Sequence, residues 1–422
     1  MLIKFPYPEF PPLEIPKDNF LGLWEPPEMP SPELPQDVLK KAMENPIFSP
    51  RLSQLAKGKR SVLIAVDDYT RTTPAHLILP LVLDELKCAN LKDEAISIIL
   101  AGGSHRPMTD EEIKGKLGPE ILSRFRVLLH DREHQGELET IGKLCTSPLQ
   151  IRKEAARADL AVGIGHIVPH GVAGFSGGAK IIFPGVSGPR FTSLTHWLSV
   201  QHPQEEILGK RDNPVRAQID KAAALTSLKF IINTIPDAAG NLAAAVAGDP
   251  VAAHRQGVEI SLRIRTVNLP RSPDVLVTSS FPADADLWQA AKALYAAEVA
   301  AKQGGVVILI TPAREGIPNQ LKAQFLARGY LSLEQAEKMY ERGEVDDLIV
   351  HAHLARVGRL VRDKARTIIV SPGISPDEAA QMGLIWSEGP QEALERALTM
   401  VGREASVGVI RHGAEIVPVT HG

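Results

Sequence analysis

The sequence holds only two cysteines, Cys88 and Cys145, far apart and without a CxxC pairing. That excludes a disulfide framework and a thiolate metal cluster, and it fits a reducing compartment. No run approaches the roughly 18 uncharged apolar residues that a membrane span needs. The start, MLIKFPYPEFPPLEIPKDNF, interrupts its apolar residues with prolines and acids and has no signal-peptide core, so a cytoplasmic location is expected. Basic runs are missing as well. Lys and Arg number 47 against 50 Asp and Glu, a net charge of −3, which leaves no positive footprint for a nucleic acid. Aromatic residues make up only 5%, whereas Ala, Val, Ile and Leu dominate. This is the composition of an α/β enzyme with buried parallel strands. At 422 residues the chain exceeds what one hydrophobic core usually serves, so two domains are expected.

Residues 1–37 are rich in proline and cannot form a regular helix or a central strand; they are expected to run extended over the surface. Beyond them, apolar runs alternate with amphipathic stretches. SVLIAVDD (61–68), AISIILAGG (95–103), RFRVLLHD (124–131) and ADLAVGIG (158–165) read as strands. AHLILPLVLDELKCA (75–89) and SPLQIRKEAARA (147–158) read as helices. RIRTVNLPRSP lacks helical periodicity and marks a domain boundary. After it come the strands DVLVTSS (274–280) and GVVILIT (305–311) around the helix DLWQAAKALYAAEVAAK (286–302). A mostly helical insertion follows, then the strands TIIVSPG (367–373) and SVGVIRHG (406–413). The expected architecture is two α/β domains, 1–268 and a smaller 269–422, with mostly parallel sheets and a cofactor cleft between them.

Four stretches place polar chemistry where a plain scaffold does not need it, three of them after strands, where open α/β sheets bind ligands. In DDYTRTTP (67–74), Arg71 offers a planar fork for a carboxylate or phosphate, and Asp68 could orient it or accept from ribose hydroxyls. The bland reading is a capped helix start. In GGSHRPMTDEE (102–112), paired glycines with Ser104 and Arg106 can cradle an anion. Thr109 and Glu112 fit a capping box, which leaves His105 unexplained. GHIVPHGVAGFSGGAKIIFPGVSG (165–188) has a glycine-rich loop with Lys180, yet it does not match GxxxxGK[ST], so an NTP site is disfavoured. Glycine-rich loops are often only tight turns, but a buried lysine there can act as a nucleophile or covalent anchor. In the second domain, FPADADLWQAAK (281–292) sets Trp288, Gln289 and Lys292 on or beside one helical face, with Asp284 or Asp286 as the N-cap; a capped amphipathic helix is the bland reading.

Taken together, DDYTRTTP, GGSHRPMTDEE, PHGVAGFSGGAKIIFPGVSG with the later His196, and DLWQAAKAL resemble the lactate racemase family across about residues 67 to 295. The resemblance implies a racemase or epimerase of 2-hydroxy acids that uses a nickel-pincer nucleotide, Ni(II) pyridinium-3,5-bisthiocarboxylic acid mononucleotide. It implies that Lys180 anchors the cofactor covalently and that His196 ligates nickel. His105 and His170 would be the two acid/bases, and Arg71, Gln289, Lys292 and Trp288 the substrate residues. Asp68, Thr70, Ser104, Arg106, Gly177 and Gly178 would attend the cofactor's nucleotide portion. Trp288 departs from the tyrosine expected there, which leaves lactate itself open as the substrate. His166 is an extra histidine without an assigned role, either a partner behind the site or a packed loop residue, the latter favoured, and His130, His134, His202, His254, His351, His353 and His412 are read as surface or packing residues.

The resemblance also implies partners: a small 2-hydroxy acid and the enzymes that build the cofactor. No nucleic acid or membrane is expected, and a homo-oligomer is compatible with the sequence. A non-catalytic carrier of the cofactor is the alternative; it would keep Lys180 and His196 and have no use for His105, His170 or Arg71. A zinc hydrolase is disfavoured because no HExxH spacing occurs.

Overall fold

In a computed structural model of the chain, residues 1–27, 29, 33–132, 134–144 and 147–421 are described. Cys145 lies outside them; Cys88 is exposed and unpaired. Two six-stranded sheets dominate. The first has the order Leu242–Gly248, Leu228–Pro236, Leu160–His166, Val62–Asp67, Ile96–Ala101, Arg126–Leu129. All of its neighbouring strands are parallel except the edge pair Leu228–Pro236 and Leu242–Gly248. The second has the order Ile385–Ser387, Arg366–Val370, Val306–Ile310, Val275–Ser279, Val407–Ile410, Phe20–Trp24 and is parallel throughout.

The strands form where they do because both faces of each sheet are covered. Along Val62–Asp67, Leu63 and Ala65 turn to one core with Phe175 and Phe183, while Ile64 and Val66 turn to another with Leu79 and Val82. Period-two alternation between two dry faces is why such a strand reads as an unbroken apolar run. Each fully buried aliphatic side chain contributes about 1.5–3 kcal/mol.

Three expectations are corrected. The proline-rich start does not merely drape over the surface. Phe20–Trp24 pairs with Val407–Ile410 at the edge of the second sheet, and Ile3, Phe5, Tyr7, Leu13 and Ile15 are buried against that sheet. An edge position suits it, since flanking prolines cannot donate to a second neighbour. The stretch 147–158 is not one helix. Ser147–Arg152 is a strand paired antiparallel with Leu138–Leu144, and only Lys153–Arg157 is helical; Pro148 and the alternation of Leu149 and Ile151 favour the strand. The two strands from Leu228 to Gly248 and the final Val417–Thr420, which pairs with Thr266–Leu269, were not anticipated.

The two halves are joined by the helix Pro189–Val200. Its Phe191 packs into the first core, and its Trp197 and Val200 pack into the second. Trp197 stacks on Tyr340 with ring centroids 4.7 Å apart. Arg356, on the second-domain helix Leu348–Val361, clamps the end of that joining helix through the carbonyls of Ser199 (2.9 Å) and His202 (2.7 Å) while pairing with Glu298.

Candidate active site

In the first sheet, Val62–Asp67 and Leu160–His166 lie side by side, and successive strands are added outward from them in opposite directions. At such a switch point the loops diverge and leave a crevice at the strand C-terminal ends. That crevice deepens into a cleft between the two sheets' domains. Among its lining residues are Asp68, Arg71, Ser104, His105, His170, Gly177, Lys180 and His196 from the first half, and Trp288, Gln289 and Lys292 from the second. Residues separated by more than two hundred positions therefore face one chamber.

His105 follows the strand Ile96–Ala101. Its Nδ1 lies 2.5 Å from Asp68 Oδ2. The other oxygen of Asp68 accepts from the Thr70 hydroxyl (2.6 Å) and backbone N–H (3.1 Å). Burial alone would raise the Asp68 carboxyl, but His105 and Arg71, with these hydrogen bonds, hold it well below the usual carboxylate range. An ionised Asp68 can only accept, so His105 donates from Nδ1, which in the neutral ring leaves the lone pair on Nε2. Lys116, itself buried, fixes the loop that carries Asp68. It donates to the carbonyls of Asp68 (3.1 Å) and Arg71 (2.9 Å) and pairs with Asp67 at 2.7 Å.

His170 stands on the opposite, glycine-rich wall, in a two-stranded turn that pairs it with Gly174. The backbone N–H groups of Val172 (3.1 Å) and Ala173 (3.3 Å) donate to its Nδ1, so the neutral ring carries its proton on Nε2. Burial, reinforced by the charges of Lys180 and Arg71, pushes its pKa well below the ordinary histidine value. Gly171 has to be glycine: a Cβ there would sit 2.1 Å from the Tyr295 ring of the second domain. Gly177 has φ +76° and would drive a Cβ to 2.8 Å from Asn233 Oδ1. Asn233 in turn accepts from the Gly178 N–H at 2.8 Å, and His254 Nε2 braces the Ser176 carbonyl at 2.9 Å.

Lys180 and His196 line the same cleft, the one a buried amine and the other a buried imidazole. Burial, with Arg71 and Arg216 nearby, depresses the Lys180 ammonium well below its ordinary value and favours the nucleophilic amine. His196 Nδ1 donates to the Thr192 carbonyl at 2.7 Å, which fixes the ring and leaves Nε2 as a lone-pair donor. Burial lowers its pKa to about 4, with the Lys180 charge adding to the effect, so the neutral ligating form is present at neutral pH. Among the described residues no group of three His, Cys, Asp or Glu side chains could hold a metal ion. One histidine with its lone pair on Nε2 and one buried amine would suit a cofactor that brings its own donors.

In the second domain Asp286 is the N-cap, accepting from the Gln289 N–H at 2.7 Å, and it presents the helix Leu287–Ala300 to the cleft. Lys292 Nζ donates to Gln289 Oε1 at 2.6 Å. Burial, then the charge of Arg71, brings the Lys292 pKa down to about 7.

Several assignments change. Arg106 does not line the cleft; it is tied bidentately to Glu112 (2.8 and 2.9 Å) and lies over the Tyr69 ring at 4.1 Å. The Thr109–Glu112 capping box holds that carboxylate in place. Asp68 and Thr70 are engaged with His105, and Gly178 lies behind the lining with Thr70. His166 is no loop packing residue. It ends a central strand, lines the cleft, and has a buried Nε2 without a hydrogen-bond partner. His353, Tyr295, Arg356 and Asn233 line the cleft and were missed. A lone Asn inside FIINTIP and a histidine within the apolar helix LIVHAHLARVGRLV were the available signals.

Fold and site together define a two-domain α/β enzyme whose main cleft is lined by residues of both halves. The chain matches the lactate racemase N-terminal domain model over residues 9–207 and the lactate racemase C-terminal domain model over residues 270–418. It belongs to the lactate racemase family and is an isomerase of the racemase type. It is 31% identical over 386 residues to the lactate racemase of Thermoanaerobacterium thermosaccharolyticum, covering 90% of each chain. Against the lactate racemase of Lactiplantibacillus plantarum it is 31% identical over 388 residues, again 90% of each. The solved lactate racemase apoprotein from Thermoanaerobacterium thermosaccharolyticum superposes with a TM-score of 0.89 at 30% identity, over 99% of this chain and 100% of that one. No helix among the described residues is long and apolar enough to cross a membrane.

Proposed function

We propose that this chain racemises or epimerises a 2-hydroxy acid, lactate-like or larger, with a nickel-pincer nucleotide attached at Lys180 and ligated by His196. The observation that supports this most is the convergence of Arg71, His105, His170, Lys180, His196 and Lys292 on one cleft. When bound, the cofactor would supply an electrophilic carbon that takes hydride from the substrate's Cα and returns it. Removing that hydrogen as a proton would instead demand ionisation of a very weak acid.

The chain's own residues do the rest. Arg71 and Lys292 hold the carboxylate between the two domains, and Gln289, hydrogen-bonded to Lys292, fixes that ammonium and reaches the hydroxyl. His105 and His170 serve the hydroxyl proton, one for each enantiomer, because the two enantiomers present their hydroxyls in different places. Holding the carboxylate lets the planar ketoacid offer its other face without leaving the cleft. A pure carrier would have no use for the Asp68–His105 pair or for cationic residues brought in by the second domain. The enzymes that build the cofactor are necessary partners.

The test is to produce the protein together with those enzymes. Nickel content and intact mass are then measured, and loss of optical rotation is followed across D- and L-2-hydroxy acids. Stoichiometric nickel without interconversion of any acid would reject the enzymatic reading.

A further inference from the structure

One wall of the cleft has no task in that scheme. His353, on the helix Leu348–Val361, is 3% exposed, and its ring lies flat on Trp288 with centroids 4.0 Å apart and 9° between planes. Phe325 backs the pair, 5.5 Å from His353 and 6.0 Å from Trp288. His353 Nδ1 is 3.4 Å from the Tyr295 hydroxyl, and its Nε2 is buried without a hydrogen-bond partner. Trp288, Tyr295 and His353 all line the cleft, beside Gln289 and Lys292. A buried ring nitrogen left unpaired is costly, and a group arriving with the ligand offsets that cost.

The surroundings decide what kind of group fits. Burial holds the His353 pKa at about 3, so the imidazole is neutral at physiological pH. Arg356, the cation that also lines this wall, is already paired with both oxygens of Glu298 and with two backbone carbonyls. Of this guanidinium only Nε is left without a partner, and its charge is already balanced by Glu298, so a second carboxylate would meet no net positive charge here and burying it would be unfavourable. A bare methyl group would leave Nε2 unpaired. A hydroxyl can donate or accept, so it satisfies Nε2 in either tautomer. The indole face beside it suits the carbon chain that carries such a hydroxyl.

Building on the racemase reading, we propose that Trp288 and His353 form the subsite for the remainder of the substrate, and that the substrate is a 2-hydroxy acid carrying a further hydroxyl on its chain. The hydroxyl bonds His353 Nε2 while the chain lies along Trp288. Where that hydroxyl sits on a second stereocentre, inversion at C2 alone makes the enzyme an epimerase.

Nickel-loaded protein is assayed by chiral chromatography with lactate, malate, 2,3-dihydroxypropanoate and 2,4-dihydroxybutanoate. The expected result is a kcat/KM for at least one dihydroxy acid about tenfold or more above those for lactate and malate. His353→Phe keeps the stacked ring and removes the nitrogen; it should lower the dihydroxy-acid-to-lactate ratio at least about tenfold, and His353→Gln should recover part of it. Should the Phe variant lose its native circular dichroism, His353→Leu carries the same comparison. A preference for lactate or malate, or a ratio unmoved by these substitutions, overturns the subsite. Loaded protein that turns over none of the four, nor any other 2-hydroxy acid, removes the racemase reading and the subsite with it, an outcome distinct from active enzyme with the wrong preference.

Discussion

The two walls of the cleft hold their histidines in opposite ways. On one, a buried carboxylate accepts a hydrogen bond from His105 Nδ1, so the neutral ring keeps its lone pair on Nε2. On the other, two backbone N–H groups occupy Nδ1 of His170, so its proton is on Nε2. One wall is built as an acceptor and the other as a donor. Two histidines in one chamber are thus not interchangeable, even though the reaction interconverts mirror images. Because enantiomers have equal free energies, kcat/KM is the same in both directions, and the asymmetry shows only in half-reactions.

Replacing either histidine by Ala should give the largest effect, a loss of about 10²–10⁴-fold in racemisation. Intact-mass measurement should show cofactor loading unchanged. In single turnovers His170→Ala, which keeps the His105 lone pair, should still oxidise one enantiomer to ketoacid, whereas His105→Ala, left with a ring whose open nitrogen carries a proton, should oxidise either enantiomer more slowly, read by trapping the ketoacid. Equal residual oxidation by the two variants would erase the distinction between the walls. Asp68→Asn comes next. Its amide can donate to His105 Nδ1 and so select the wrong tautomer, which should cost on the order of a hundredfold, while His170→Ala added to it should cost less than it does alone.

Lys292 sharpens the comparison through pH. Its folded pKa is lowered to about 7 from the ordinary lysine value. The ammonium is present below that pH and fades above it, so KM for a 2-hydroxy acid should rise as pH increases through about 7. Lys292→Arg, charged throughout, should flatten the rise; a KM independent of pH in the unaltered enzyme would place the carboxylate elsewhere. The smallest effect is expected from Arg106→Gln on the outer side of the His105 wall. Its pair with Glu112 is partly exposed, and such pairs contribute about 0–1 kcal/mol, so the rate should change less than about threefold.

Much of this chamber is legible in the chain. The strands from Val62, Ile96, Leu160, Val275 and Val306 announce themselves as apolar runs, and the polar stretches that follow them are where the cleft opens. What escaped reading depends on partners brought from afar. Arg106 follows Ser104 and His105 in an anion-binding pattern, yet the capping box from Thr109 to Glu112 supplies a carboxylate and turns it away. Asp68 looked suited to a ribose, and only the neighbouring strand's loop shows that it serves His105. His353 lies 65 positions from Trp288, and no local periodicity says that the two rings touch. The start of the chain reads as irregular because its prolines exclude a central strand, although they permit the edge it occupies.

By itself, then, the sequence determined the alternation of strands and helices, the two-sided burial of the sheets and the set of reactive side chains at strand ends. Those follow from local periodicity and residue chemistry, which are properties of neighbours along the chain. The tertiary structure alone decided which nitrogen of each histidine is left open, which cations are paired and which rings from the second half wall the cleft. Protonation and hydrogen-bond pairing depend on burial and on distances of about 3 Å between residues far apart in sequence, and only folding sets those distances.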